Sequence, residues 1–125
     1  MEKKKILVIE DETVMRESLE DILKSNDYAV ETASDGEEGI ELIKSFSPDL
    51  ILLDIILPKK DGFEVLQSLK TEEDGGKISI PVVLLTNIGG MESVQKALDL
   101  GATTYLVKAD YQLNEILEKV KEILE

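Results

Sequence analysis

The chain has 125 residues, carries 27 Asp plus Glu against 14 Lys plus Arg, and contains neither histidine nor cysteine. Its formal net charge of -13 disfavours direct binding to nucleic acid or to anionic membrane surfaces, because both are negatively charged. The two missing residue types exclude disulfides, thiol catalysis, imidazole acid/base chemistry and most zinc sites. Any chemistry must therefore use carboxylates, hydroxyls or lysine.

The length predicts one domain, and 42% hydrophobic with 33% charged residues is a globular composition. The apolar stretch at residues 6–9 is too short for an export signal, and no apolar run approaches the length of a transmembrane helix. We therefore expect a cytoplasmic protein without a membrane partner.

Five segments have the apolar character of β-strands. Continuous apolar runs at residues 6–9, 50–53 and 82–85 are typical of central strands that are covered on both faces of a parallel sheet. The shorter or more mixed runs at residues 28–32 and 104–107 fit strands at the two edges of the sheet.

The segments between these runs have the periodicity of amphipathic helices. The shared apolar faces are Met15, Leu19, Ile22 and Leu23 in the first helix, and Leu113, Ile116, Leu117, Val120 and Leu124 in the last. Ser34 with Glu37 predicts a capping box for the second helix, and Asp110 is placed to cap the last. Right-handed crossovers then predict an α/β fold: a flavodoxin-like doubly wound (βα)5 arrangement with a parallel five-stranded sheet in the order 2-1-3-4-5.

Polar residues follow four of the predicted strands at their carboxyl ends. They are Glu10 and Asp11, Asp54, Thr86, and Lys108. Ligands of open parallel sheets bind in the crevice beyond these ends. Carboxylates repel one another unless a cation joins them, and an all-oxygen cluster suits Mg2+. With a lysine and a hydroxyl nearby to hold an anion, the set has what phosphoryl transfer to a carboxylate requires.

Each residue also has an interpretation without a function. Asp11 or Glu12 can cap the first helix, and Asp54 can be the solvated start of a loop. Thr86 can be an ordinary strand end and Lys108 a surface amine. Their coincidence at one edge of the sheet favours the functional interpretation.

The same residues carry a family pattern that covers nearly the whole chain. It comprises Glu10-Asp11, residues 52–58 (LLDIILP) with Asp61-Gly62, residues 84–86 (LLT), Gly101-Ala102, and residues 105–108 (YLVK). This ordered set resembles the receiver domains of two-component response regulators. The resemblance implies a single receiver domain at residues 1–125, without an output domain. It also implies a regulatory phosphoprotein that assists its own phosphorylation and dephosphorylation, rather than an enzyme.

By this resemblance, Asp54 is the phosphoacceptor, and a histidine kinase or a histidine phosphotransfer protein is the donor. The resemblance places Mg2+ among Glu10, Asp11, Asp54 and the backbone carbonyl of Ile56, and it places Thr86 and Lys108 on the phosphoryl oxygens. Thr86 would then move and let Tyr105 turn from solvent into the fold. The face formed by helix 4, strand 5 and helix 5 would bind a downstream protein.

Three positions depart from the family pattern. Glu10 stands where many members have Asp, and its extra methylene still reaches the metal region. Ala109 stands where a proline usually follows the lysine in a cis peptide, which affects the placement of Lys108. Asn87 stands where a small residue is usual, and we expect its side chain to narrow access to Asp54.

Three other functions compete with the signalling switch. A phosphatase with Asp54 as nucleophile commonly needs a second Asp two residues on, and Ile56 occupies that place. Flavin or nucleotide binding needs backbone donors or a glycine-rich turn after the first strand, where residues 10–12 are acidic instead. An unphosphorylated interaction module of the same fold is the third alternative.

Overall fold

The computed structural model describes residues 3–55, 59, 61–70, 76, 78–86, 91–108 and 112–125. Strands and helices alternate along the chain: β1 Lys5–Ile9, α1 Thr13–Ser25, β2 Ala29–Ala33, α2 Gly36–Phe46, β3 Leu50–Asp54, α3 Gly62–Leu69, β4 Val82–Thr86, α4 Met91–Leu100, β5 Thr104–Val107 and α5 Leu113–Leu124.

The five strands form one parallel sheet in the order β2-β1-β3-β4-β5. The predicted α/β class, strand order and doubly wound arrangement are confirmed. β2 begins at Ala29 rather than at residue 28, because the backbone N–H of Tyr28 donates to Leu23 O and still belongs to the turn that ends α1.

Alternate residues of the strands face opposite sides of the sheet, so the core has two layers. One layer contains Leu7, Ile9, Ile51, Leu53, Val82 and Leu84 of the strands with Val65, Leu66, Val94 and Ala97 of α3 and α4. The other contains Ile6, Val8, Leu50, Leu52, Val83 and Leu85 with Leu19, Leu23, Ile116, Leu117 and Val120 of α1 and α5. Helices therefore cover both faces, which explains the continuous apolar runs of the central strands.

The helix starts differ from the predicted caps. Asp35, not Ser34, is the N-cap of α2, and its Oδ1 accepts a hydrogen bond from the Glu38 N–H at 2.8 Å. The predicted capping box is wrong by one residue because the helix begins at Gly36. α5 has Gln112 at its N-cap, and Asp110 lies outside the described residues.

Most of the loop before β4 also lies outside the described residues. Among the helices that the structure describes, none combines the length and the apolar character needed to cross a bilayer.

Candidate functional site

Strand register brings the acidic residue that follows β1 beside the one that ends β3. Ile9 pairs with Leu53, so the residues that follow them, Glu10 and Asp54, lie next to each other at the carboxyl edge of the sheet. Glu10 still belongs to the sheet by its backbone, since its N–H donates to Ala33 O at 3.0 Å. Main-chain pairing of the strands therefore places these two carboxylates at the carboxyl edge of the sheet.

The same edge continues across β4 and β5. Asp54 pairs with Leu85, which places Thr86 at the next position along β4. Thr86 in turn pairs with Val107, the residue before Lys108. Sheet register alone thus collects a hydroxyl and an ammonium beside the acids.

Glu10, Asp11 and Asp54 form a carboxylate cluster. Each offers one oxygen, and the three oxygens lie within 4.8 Å of one another. Glu10 is fully buried, Asp54 is 6% exposed, and Asp11 is exposed to solvent. Two negative charges withdrawn from water at this spacing repel strongly, so the cluster needs positive charge to be stable.

Lys108 supplies part of that charge. Its Nζ lies 2.5 Å from Glu10 Oε1 and 3.0 Å from Asp54 Oδ2. Burial acts to lower the pKa of Lys108, but its contacts with the two carboxylates outweigh burial and raise this pKa above the ordinary value. The lysine is therefore held in its charged form, bridging the ends of β1 and β3.

For Glu10, in contrast, the effect of burial on the pKa outweighs that of the contacts. Burial raises its pKa to about 7, with a further contribution from the charge of Asp54, although Lys108 and the Glu12 N–H both lower it. One lysine does not fully offset the desolvation of this carboxylate.

Hydrogen bonds to the backbone hold the acidic pair in place in the loop between β1 and α1. Arg16 Nη1 donates to Glu10 O at 3.1 Å and to Asp11 O at 3.2 Å. The Glu12 N–H donates to Glu10 Oε2 at 3.1 Å. Glu12 is the N-cap of α1, but its side chain makes no capping hydrogen bond, so the capping interpretation of Glu12 is wrong.

Arg16 was not singled out from the sequence. Its signal was available, since a cation close to the amino end of a helix is disfavoured by the helix dipole and needs another reason to be there.

The backbone of Gly62 packs closely against that of Ile55, the residue after Asp54. The Gly62 N–H donates to Ile55 O at 2.9 Å. A Cβ at Gly62 would lie 2.8 Å from both Ile55 Cα and Ile55 O, which are backbone atoms. A glycine is therefore required for this close approach.

The remaining predicted positions divide into two groups. Thr86 is buried at the end of β4, and Tyr105 is half-buried on β5 against the core layer of α2, α3 and α4. Ile56, Asn87 and Ala109 lie outside the described residues. Three expectations therefore stay predictions: that the Ile56 carbonyl binds Mg2+, that Asn87 narrows access to Asp54, and that Ala109 affects the placement of Lys108.

The cluster fits a magnesium ion by its chemistry. Its donors are carboxylate oxygens, and the chain has no histidine or cysteine to favour a softer metal. Glu10, Asp11 and Asp54 would hold the ion, and its two positive charges would add to that of Lys108.

A doubly wound sheet with three acids and a lysine at its carboxyl edge defines a class of regulatory domain. The sequence model of the response regulator receiver domain matches residues 6–121, and the chain belongs to this family.

Relatives and solved structures agree with this assignment. The chain is 38% identical over 122 residues to a probable transcriptional regulator ycf27 of Cyanophora paradoxa, covering 98% of this chain and 48% of the relative. It is 38% identical over 120 residues to the response regulator MprA of Mycolicibacterium vanbaalenii, covering 96% of this chain and 50% of the relative. The chain thus spans about half the length of these curated relatives.

Two solved structures are similar over nearly all of both chains. A CheY-like receiver domain protein of Methanospirillum hungatei is 31% identical with a TM-score of 0.86, covering 98% of this chain and 94% of that chain. The chemotaxis response regulator CheY4 of Vibrio cholerae is 26% identical with a TM-score of 0.84, covering 97% and 98%. These neighbours confirm the flavodoxin-like fold.

Proposed function

We propose that residues 1–125 act as one phosphorylation-dependent switch in which Asp54 accepts a phosphoryl group from a histidine kinase or a histidine phosphotransfer protein, with Mg2+ bound. The observation that carries this proposal is the cluster of Glu10, Asp11 and Asp54 with Lys108 at the same edge. Membership of the receiver family supports it.

In the proposed reaction, a carboxylate oxygen of Asp54 attacks the phosphorus of a phosphohistidine. A new P–O bond forms as the P–N bond of the donor breaks, and the imidazole nitrogen keeps the electron pair and takes a proton from water. Bound Mg2+ would neutralise charge on the transferring group. The Lys108 ammonium, already 3.0 Å from Asp54 Oδ2, is placed to neutralise another part of that charge.

The sheet fixes the backbone of Asp54 before a phosphodonor binds. Asp54 is the last residue of β3, and its backbone is held by pairing with β4. Phosphoryl transfer depends mainly on positioning and charge neutralisation, so a rigid strand end is a suitable place for the acceptor.

We extend the proposal to the output of the switch. Leu84 pairs with Tyr105 and Thr86 with Val107, so Thr86 and Tyr105 lie two positions apart on neighbouring strands. A shift of Thr86 toward a phosphoryl group would change the packing of Tyr105. The face of α4, β5 and α5 would then bind a downstream protein partner in one state of the switch.

The phosphatase alternative uses the same nucleophile but needs a general acid. Ile56 stands where such an enzyme commonly has a second Asp, which disfavours rapid turnover of the aspartyl phosphate. The interaction-module alternative requires no reaction at Asp54.

Phosphorylation by a small donor tests the proposal directly. Wild-type protein and the Asp54→Asn and Asp21→Asn variants are incubated with acetyl phosphate and Mg2+, and intact masses are recorded. Asp21 is a matched control because it is an exposed aspartate in α1. We expect one phosphoryl adduct on wild type and Asp21→Asn, none on Asp54→Asn, and none when EDTA replaces Mg2+. An unmodified wild type, or an equally modified Asp54→Asn, would refute the proposal.

A further inference from the structure

Arg16 binds backbone rather than side chains. The chain has 27 acidic residues, yet among the residues that the structure describes Arg16 forms no ion pair with a carboxylate. Its Nη1 instead donates to the carbonyls of Glu10 and Asp11 at 3.1 and 3.2 Å. These carbonyls belong to two of the three residues between β1 and α1.

The contact with Asp11 O determines the orientation of a whole peptide unit. In a trans peptide, the carbonyl of one residue and the N–H of the next point in opposite directions. Because the Asp11 carbonyl faces Arg16, the Glu12 N–H faces away from Arg16. On that side it donates to Glu10 Oε2 at 3.1 Å.

Glu10 is thereby held at both oxygens. Oε2 accepts from the Glu12 N–H, and Oε1 lies 2.5 Å from Lys108 Nζ. Glutamate has one more rotatable bond than aspartate, so more side-chain entropy is lost when it is fixed in one conformation. A backbone donor that is itself fixed keeps this longer side chain in the cluster.

Stabilisation of α1 does not explain the arginine. The amino end of a helix carries a partial positive charge, and a cation there is unfavourable. The N-cap Glu12 makes no side-chain capping hydrogen bond, so the positive charge of Arg16 does not support a cap either. The guanidinium of the half-buried Arg16 therefore contacts the loop carbonyls and does not stabilise the end of the helix.

We infer that Arg16 is a positioning residue for the carboxylate cluster: by holding the Glu10 and Asp11 carbonyls it turns the Glu12 N–H toward Glu10 and fixes that carboxylate for a divalent cation. The cation part of this role rests on the proposed function. The hydrogen-bond part does not depend on metal or on phosphorylation.

Two measurements test the role of Arg16. The first is the amide signal of Glu12 in proton-nitrogen NMR spectra of the metal-free protein, which reports its hydrogen bond to Glu10. The second is the Kd for Mg2+ from titration calorimetry. Arg16→Met keeps the aliphatic stem and removes the donors, and Arg16→Lys keeps a donor. Lys24→Met is the matched control, because it removes one positive charge from an exposed side chain of the same helix.

We expect Arg16→Met to shift the Glu12 amide proton toward the value of an unbonded amide and to raise the Kd for Mg2+ about 10-fold, which is typical when a support of a metal ligand is lost. Arg16→Lys should restore most of the Glu12 amide shift and most of the affinity for Mg2+. Lys24→Met should match wild type in both measurements. Glu12→Pro removes the donor directly, and its ring suits the φ of -76° at this position. Its effect on Kd should not add to that of Arg16→Met, because both act on one path.

The outcomes separate this role from the proposed function. A folded Arg16→Met with an unchanged Glu12 signal and an unchanged Kd overturns the inference, as does full additivity with Glu12→Pro. If Arg16→Met does not fold, Arg16→Lys decides by both readouts, and Glu12→Pro, which has no amide proton at residue 12, decides by the Kd for Mg2+ alone. A wild type that binds Mg2+ but is never phosphorylated refutes the proposed function and leaves the role of Arg16 standing. If wild type binds no Mg2+, the Glu12 signal alone decides the role of Arg16.

Discussion

Lys108 Nζ lies 3.0 Å from Asp54 Oδ2, although 54 residues separate the two in the chain. The same ammonium lies 2.5 Å from Glu10 Oε1, so a residue that follows β5 bridges the ends of β1 and β3. In this arrangement a single lysine partly neutralises a cluster of three acids. A divalent cation bound by these carboxylates would share them with Lys108, and the positive charges of the two would repel each other.

Removing the charge of Lys108 should therefore change metal binding and phosphorylation in opposite directions. We expect Lys108→Met to lower the Kd for Mg2+ by about 5-fold or more, because repulsion between nearby cations is worth ~1 kcal/mol even at the dielectric constant of water. The same variant should accept a phosphoryl group about 100-fold more slowly, since a charge that stabilises the transferring group is lost.

Calorimetry and the time course of intact mass measure the two effects. Lys119→Met is the control, because Lys119 pairs with Glu122 on α5 at 3.5 Å and lies outside the cluster. Weaker Mg2+ binding in Lys108→Met would contradict the competition between the two cations.

Gly62→Ala should disturb Asp54, the proposed phosphoacceptor, through the backbone. The added Cβ would lie 2.8 Å from Ile55 Cα and 3.2 Å from Asp54 O, and neither is the end of a flexible side chain. We expect a loss of about 1–3 kcal/mol in the free energy of unfolding, as for other overpacked sites, together with slower phosphorylation.

Gly76→Ala is the control for Gly62→Ala. Gly76 has a φ of +78°, and a Cβ there meets no atom of the described residues within 4 Å, so this variant reports backbone strain without a described clash. Urea unfolding and the phosphorylation time course measure both variants. Gly76→Ala should lose stability while keeping the phosphorylation rate, and an unchanged rate in Gly62→Ala would contradict the proposed link to Asp54.

Asp61 caps α3, the helix that follows β3 and Asp54 in the chain. Its Oδ1 accepts from the Glu64 N–H at 3.0 Å. Asp61→Ala should lower the free energy of unfolding by about 1 kcal/mol, whereas Asp61→Asn should retain most of it because asparagine is an equally good N-cap. Urea unfolding at neutral pH compares the two variants. Equal losses would show that the charge of Asp61, and not its capping bond, stabilises this helix.

Tyr28 has a buried hydroxyl that no other described residue contacts by a hydrogen bond. An unsatisfied buried hydroxyl costs about 1–3 kcal/mol, so Tyr28→Phe should leave stability unchanged or raise it by about 1 kcal/mol. A fall of more than about 1 kcal/mol in the free energy of unfolding would mean that the hydroxyl makes a stabilising contact.

The pH dependence of stability gives a second test at the same residue. Burial raises the pKa of Tyr28 above its ordinary value of 10.0, and the negative charges of Glu125 and Glu118 raise it further. The folded state therefore keeps the proton longer than the unfolded state does. Its contribution to stability is complete below pH 10 and is lost as the pH rises through the raised pKa. Tyr28→Phe should lack this alkaline loss in unfolding measurements between neutral pH and pH 11.

The local pattern of the chain predicted the strands and the edge of the sheet at which the acidic residues meet. Continuous apolar runs are typical of strands that are covered on both faces, so residues 6–9, 50–53 and 82–85 indicated the central strands. Each run ends at a polar residue, and parallel strands align those ends. For this reason Glu10, Asp54 and Thr86 were assigned to one edge before any distance was known.

The boundaries of helices and strands are harder to predict from the sequence, because they depend on competing local hydrogen bonds. β2 begins one residue later than predicted, because the N–H of Tyr28 is hydrogen-bonded to the end of α1. The cap of α2 moved from Ser34 to Asp35, because either side chain has an oxygen suitable for capping and the helix start selects one of them.

Residue types and their order determined the class of fold and the edge of the sheet at which the acidic residues meet. Both follow from the apolar periodicity and from the polar residue that ends each apolar run, which are properties of the chain itself, whereas the choice of Asp54 as phosphoacceptor rests on the family resemblance and stays a proposal. Tertiary structure decided which atoms meet: Lys108 between Glu10 and Asp54, and Arg16 on the carbonyls of the loop. Such contacts depend on the path of each loop and on the orientation of single peptide planes, and no local pattern encodes either.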